Sequence, residues 1–263
     1  MNQSEAAVIP GGLQVSQGGY TLALAAADYV DGVQGVDFRI IGPDGTPVTA
    51  YEKEHEKELH LIAVRRDFAG FQHVHPTLDR ATGVWSVDLD LEPGAWRIFA
   101  DFVPAGGGAG LTLGVDLLVD GEVRWQLPSE EVRAAVAGDY EVTVAGDLAA
   151  GAHTMLDFAI AKDGEPFTAL EPYLGAYGHL VALREGDLAY LHVHPGGEPG
   201  DGVTEPGPSV VFGTEVPSAG RYHLFLDFQA DGVVHTAQFA LEARAGAHRA
   251  AYGGSHAHHG HHH

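Results

Sequence analysis

The chain is predicted to be all-β, two tandem antiparallel β-sandwiches of immunoglobulin or cupredoxin-like kind, and three observations predict it. Its apolar runs are short and rich in β-branched and aromatic residues. Turn-forming pairs punctuate them at short intervals, and no segment sustains a helical period. The whole pattern is also stated twice, with a repeat of about 120 residues, the size of one domain and well above a solenoid unit.

In the first copy, strands are expected at 20–25, 36–41, 59–64, 71–75, 85–91, 95–102 and 111–119. The second copy places them at 140–145, 155–161, 179–183, 190–194, 209–213, 221–228 and 233–242. Pro43-Asp44-Gly45, Pro93-Gly94 and Asp-Gly at 120–121, 163–164 and 231–232 supply the turns. Gly19-Tyr20-Thr21-Leu22 matches Asp139-Tyr140-Glu141-Val142, and Asp37-Phe38 matches Asp157-Phe158. GAWRIFADF (94–102) matches GRYHLFLDF (220–228). The first sandwich is placed at 17–126, a short linker at 127–138, the second sandwich at 139–245, and a His-rich tail at 246–263. Within the linker, SEEVRAA (129–135) is the one stretch that suits a turn or two of helix, capped by Ser129.

Composition narrows the chemistry. A formal net charge of −22, from 36 acids against 14 bases, repels nucleic acid and concentrates cations. The absence of cysteine excludes thiolate zinc sites, Cys-ligated iron–sulfur clusters, blue-copper centres and disulfides. No apolar run is long enough to cross a bilayer, and MNQSEAAVIPGG at the start has no signal-peptide pattern. The start therefore suits a cytoplasmic protein or a mature ectodomain given a start Met.

The repeat carries histidines. HLIAVRRDFAGFQHVHP (60–76) and HLVALREGDLAYLHVHP (179–195) keep three of them at one spacing: His60, His73 and His75, then His179, His192 and His194. Residues i and i+2 of a strand share a face, which puts each His-x-His pair together. A turn centred between Asp67 and Phe68 would set Ile62 opposite His73 and His60 opposite His75. A turn centred between Gly186 and Asp187 would likewise pair His179 with His194. Directly opposed residues share a face, so each triad would converge, whereas a slip of one residue would separate it. Three imidazoles with an open position suit copper or zinc. The alternative is a set of strand histidines with ordinary hydrogen bonds, which does not account for three kept twice.

Around the triads, Glu58 is a candidate fourth ligand and His55 crowds the first site. Asp101 and Asp227 match in F-x-D-F and are either acceptors for a ligand histidine or structural hydrogen-bonders. His223 and His235 lie on neighbouring strands where they can meet. Arg65 and Arg184 are expected to form ion pairs beside the hairpin turns. The SHAHHGHHH end binds metal loosely, as a natural tail or a purification tag, and is no independent support.

YLGAYGHLVALREGDLAYLHVHP (173–195) and EVPSAGRYHLFLDFQADGVVHTAQF (215–239), with EHEKELHLIAVRRDFAGFQHVHP (54–76), resemble a family of actinobacterial exported, heavy-metal-associated proteins often found near copper-handling genes. The resemblance spans most of 17–242. It implies an extracytoplasmic or membrane-tethered metal-binding role, with copper favoured.

Two functions follow as expectations. The first is an extracytoplasmic metal-binding protein for buffering, carriage or resistance, with metal ions and a metal-transport or membrane protein as partners and no nucleic acid. The second is a metalloenzyme with His-bound copper or zinc, since His-Val-His on a sandwich also resembles the copper strand of superoxide dismutases and three histidines hold the zinc of carbonic anhydrase. A pH-responsive interaction module is a third possibility, separated from the others by its lack of a defined metal stoichiometry.

Overall fold

The computed structural model describes residues 9–125, 127 and 130–245, with the side chains of His192 and His194 outside the described set. The strands of the first half are β1 Ser16–Gln17, β2 Tyr20–Leu24, β3 Gly32–Ile41, β4 Leu59–Arg65, β5 Phe71–Val74, β6 Thr77–Asp79, β7 Val84–Leu91, β8 Gly94–Phe102 and β9 Leu111–Val119. Those of the second half are β10 Ala134–Ala137, β11 Tyr140–Ala145, β12 Leu148–Ala149, β13 His153–Lys162, β14 Glu165–Pro166, β15 His179–Arg184, β16 Tyr190–His192, β17 His194–Pro195, β18 Ser209–Glu215, β19 Gly220–Ala230 and β20 Val233–Arg244. The described residues contain no helix. Residues 134 and 135, expected at a helix end, instead open β10, an edge strand on β11; Ser129, the proposed cap, lies outside the described residues.

Each half is a sandwich. The first pairs an outer sheet, β1-β2-β3-β7-β6, with an inner sheet, β5-β4-β8-β9. The second pairs β10-β11-β13-β18-β17, with β14 on β13, against β12-β20-β19-β15-β16. Each encloses its own core, with Phe38, Trp85, Trp96 and Phe102 in the first and Phe158, Phe212, Phe228 and Phe239 in the second.

A third core lies between the halves, formed by Ile62, Val64, Phe68, Phe99, Val181, Leu183, Leu188, Tyr190 and Phe225. Strand parity explains it. Along β4, Leu59, Leu61 and Ala63 face the first core, while Ile62 and Val64 face the other domain. Along β15, Leu180 and Ala182 face inward, while Val181 and Leu183 face the first domain. The two inner sheets thus have both faces covered, and β4 is buried at every position. Phe71 of β5 stacks on Phe225 of β19 across the seam, with ring centroids 3.9 Å apart.

Both hairpins turn by one device. Asp67 takes Arg65 Nε at 2.7 Å and the Ala69 amide at 3.2 Å; Asp187 takes Arg184 Nε at 3.0 Å and the Ala189 amide at 3.1 Å. These are the ion pairs expected beside the turns. Phe68 and Leu188 both adopt positive φ, 61° and 59°, which delivers their side chains into the interdomain core.

Candidate metal centre

The hairpin devices set the register. Ile62 pairs with His73 on β4 and β5, and Val181 pairs with His192 on β15 and β16, as the turn centres require. By parity, His60 and His73 then lie on the face of Ile62, which looks to the other domain. β5 ends at Val74 and β6 joins the outer sheet from Thr77, so His75 and Pro76 form the crossing between sheets. Proline lacks the N–H that would continue the inner ladder.

The first triad closes. His60 Nδ1 lies 3.1 Å from His73 Nε2 and 3.1 Å from His75 Nε2. One nitrogen from each ring falls within 4.8 Å of the others, so the three can hold a metal ion. Partners outside the triad decide which nitrogens carry protons. His60 Nε2 stands 3.0 Å from the Glu54 carbonyl oxygen, which only accepts, so Nε2 is the donor and Nδ1 keeps its lone pair. His73 Nδ1 lies 2.8 Å from Asp227 Oδ2, so the neutral ring turns its Nε2 lone pair inward. Two lone pairs therefore face each other, an arrangement that needs a cation or an extra proton between them. Tetrahedral ligation with metal–nitrogen bonds of about 2.0–2.1 Å sets neighbouring nitrogens about 3.3 Å apart, close to what is seen.

Burial opposes the extra proton. It pushes His60 down to about 4, with the Glu54 carbonyl opposing and His73 adding to it. It pushes His75 down to about 3, helped by His73 and His60. His60 and His75 are thus neutral near pH 7, the form that ligates.

Asp227 belongs to the second domain. It sits on β19 opposite His179, as Asp101 sits on β8 opposite His60. Each aspartate takes a hydroxyl from the neighbouring strand: Thr236 at 2.6 Å for Asp227, Thr112 at 3.0 Å for Asp101. The repeated F-x-D-F is therefore an acceptor for a candidate ligand histidine in the case of Asp227.

In the second copy, His179 Nε2 is 2.8 Å from the Tyr173 carbonyl oxygen, the same device that orients His60. His192 ends β16, and His194 has joined the outer sheet opposite Gly213; their side chains lie outside the described residues. The sequence suggested one site per hairpin. The two histidine-bearing faces meet, and a pocket of about 30 Å³ is lined by His55, His60, His73, Asp101, His179 and Tyr190 from both domains. That is room for two or three water-sized molecules, at about 10–15 Å³ each.

Other candidates go elsewhere. The Glu58 carboxylate is engaged by Arg80 Nη2 at 2.8 and 2.9 Å and does not join the triad. His223 and His235 do not meet: His223 stacks on Phe68 and bonds Glu185, while His235 packs on Tyr140 and Phe228.

Comparison with known proteins adds a family. The model of a family described as a domain of unknown function, DUF8832, matches residues 14–117 and again 134–245. No curated protein matches the chain. Among solved structures, MtrC from Shewanella baltica is similar at 9% identity and TM-score 0.28, over 84% of this chain and 68% of that one. The fibronectin(III)-like modules of Clostridium thermocellum CbhA are similar at 9% identity and TM-score 0.24, over 92% and 100%. A Salmonella alpha-2-macroglobulin mutant is similar at 13% identity and TM-score 0.29, over 92% of this chain and 16% of that one. Likeness at that level carries no argument about the site.

Proposed function

The chain belongs to this family of unknown function through both of its copies, and from that premise we propose that it is a metal-binding protein whose centre is His60, His73 and His75. The observation that carries the reading is the 3.1 Å approach of His60 Nδ1 to His73 Nε2 in a buried site, with the far nitrogen of each ring on an oxygen acceptor. A cation between them resolves the repulsion, and burial disfavours a proton in that role.

The ion we infer is copper as Cu2+, with zinc next. Neutral imidazole suits both, and a common ligand set binds Cu2+ more tightly than Zn2+. With no cysteine and only two methionines, the chain is poor in the soft ligands that select Cu+. Holding metal, for buffering or carriage outside the cytoplasm, is favoured over catalysis because the pocket takes only about two or three water-sized molecules. A metal-transport or membrane protein is the partner this role requires.

The test uses the full chain with the six histidines of the SHAHHGHHH end, His256, His258, His259 and His261 to His263, replaced by serine. Competition titration should reveal tight Cu2+ binding, with nitrogen hyperfine structure in its electron paramagnetic resonance spectrum. His73→Ala with His75→Ala should remove the tight event. A parent protein that binds no metal beyond background would overturn the reading.

A further inference from the structure

Beside the triad, the seam holds a second pair of histidines, one from each domain. His179 repeats the orientation of His60, with Nε2 on the Tyr173 carbonyl, so Nδ1 of the neutral ring carries the lone pair. The ring of His55 stands 5.3 Å from that of His179, centroid to centroid, and 6.1 Å from that of His60. Within the triad the corresponding spacings are 5.4, 4.9 and 5.1 Å. His55 and His179 are thus spaced like two imidazoles able to share one ion, and both line the interdomain pocket. Asp101 lines it too and brings a carboxylate.

The turn that carries His55 has a counterpart in the second domain. The turns at 54–57 and 173–176 close by the same paired backbone bonds: Glu54 to Lys57 at 2.9 and 3.0 Å, and Tyr173 to Ala176 at 2.8 and 3.1 Å. Both central residues take positive φ, for which glycine, asparagine and aspartate are the usual choices. The second domain uses Leu174 and Gly175, whereas the first uses His55 at 45° and Glu56 at 67°. Leu174 takes the same conformation at 51°, so what sets the first turn apart is an imidazole that lines the pocket.

We propose that His55 and His179 form a second cation position, a clasp across the domain seam for a borderline transition ion such as Cu2+ or Zn2+. It rests on the reading of the triad as a metal centre. With two imidazoles where the triad has three, the clasp binds the weaker of two ions, and it ties the turn at 54–57 to β15 of the other domain.

The probe is Cu2+ alone, by equilibrium dialysis on the full chain with the same six histidines replaced by serine. The parent should bind a tight and a weaker equivalent. His55→Asn, chosen because asparagine accepts the left-handed conformation, should lose only the weaker one. His179→Gln should do the same, and circular dichroism of each metal-free variant should match the parent. His73→Ala with His75→Ala should lose the tight equivalent. If His55→Asn still binds both, the second ion belongs to the second hairpin without His55 and the clasp is wrong. A parent that binds a single equivalent, lost in the triad variant, overturns the clasp and leaves the triad standing. A parent that binds none removes both.

Discussion

Asp227, on β19 of the second domain, accepts a hydrogen bond from His73 Nδ1 of the first domain at 2.8 Å, with both side chains almost fully buried. One residue of the candidate centre is therefore oriented by the other domain. An acceptor on the far nitrogen fixes the tautomer and raises the basicity of a ligand histidine. Asp227→Asn keeps the volume but removes the carboxylate, so Cu2+ affinity should fall about 10–100-fold. Competition titration against a chelator of known affinity would show it. Unchanged affinity would mean that the pair serves packing alone.

The seam itself should carry the metal centre. Phe225 stacks on Phe71 at 3.9 Å in a core built from both domains. Phe225→Ala should destabilise the protein by about 3–5 kcal/mol, the usual loss for a buried phenylalanine. Because that core joins otherwise complete sandwiches, denaturant unfolding should split into two transitions, and metal affinity should drop with it. A single cooperative transition at the parent midpoint would contradict this role for the seam.

Much of this was legible in the residues, and the limits have physical reasons. The His-x-His pairs and the hairpin registers follow from strand period and turn position, both local properties. Which way the histidines face does not. LHLIAVR is buried on both sides, so no polar face marks the outside, and alternation cannot tell a domain's own core from a second one. That the two histidine-bearing faces meet was not legible either, because nothing local records that two inner sheets stack on each other. Asp227 was visible as a repeated aspartate, but its partner lies 154 residues away. SEEVRAA suited a helix, yet its last residues became an edge strand, where pairing with Thr143 and Val142 overrides a weak propensity.

Acid should weaken the metal-free fold in a defined window. Burial pushes His60 and His179 down to about 4 and His75 to about 3. Their ordinary value is 6.5, so between about pH 6.5 and 4 the unfolded chain holds more protons than the folded one. Stability is thus fully present above 6.5 and is lost as pH falls toward 4, by at most about 1.4 kcal/mol per pH unit for each histidine. Urea midpoints at pH 7.5, 5.5 and 4.5 should fall in that order, and less steeply in His179→Gln. A midpoint that holds steady to pH 4.5 would rule these histidines out as the acid-sensitive groups.

The segment before β1 fastens the seam from its edge. The Gly12 amide donates to Thr112 O at 2.8 Å, and the Tyr190 amide donates to Gly11 O at 2.9 Å, so a short stretch of chain bridges β9 of one domain and β16 of the other. Arg97 holds it down, with Nη2 2.6 Å from Gly12 O and 3.1 Å from Leu13 O. Gly12 has φ 73°, and a Cβ there would come within 2.4 Å of the Phe99 ring and 3.1 Å of the Tyr190 Cβ. Phe99 and Tyr190 are both members of the interdomain core, so the ring cannot move without disturbing the seam. Gly12→Ala should therefore displace the strap at a cost of about 1–3 kcal/mol, as overpacking does. The Tyr190 amide would lose its acceptor, and its hydrogen exchange should accelerate while the Ala63 and Leu183 amides, inside the inner sheets, stay protected. Tyr190 also lines the pocket, so a released strap should speed Cu2+ entry and exit together, with less change in affinity. Exchange at Tyr190 as slow as in the parent would show that the strap is not what closes this edge.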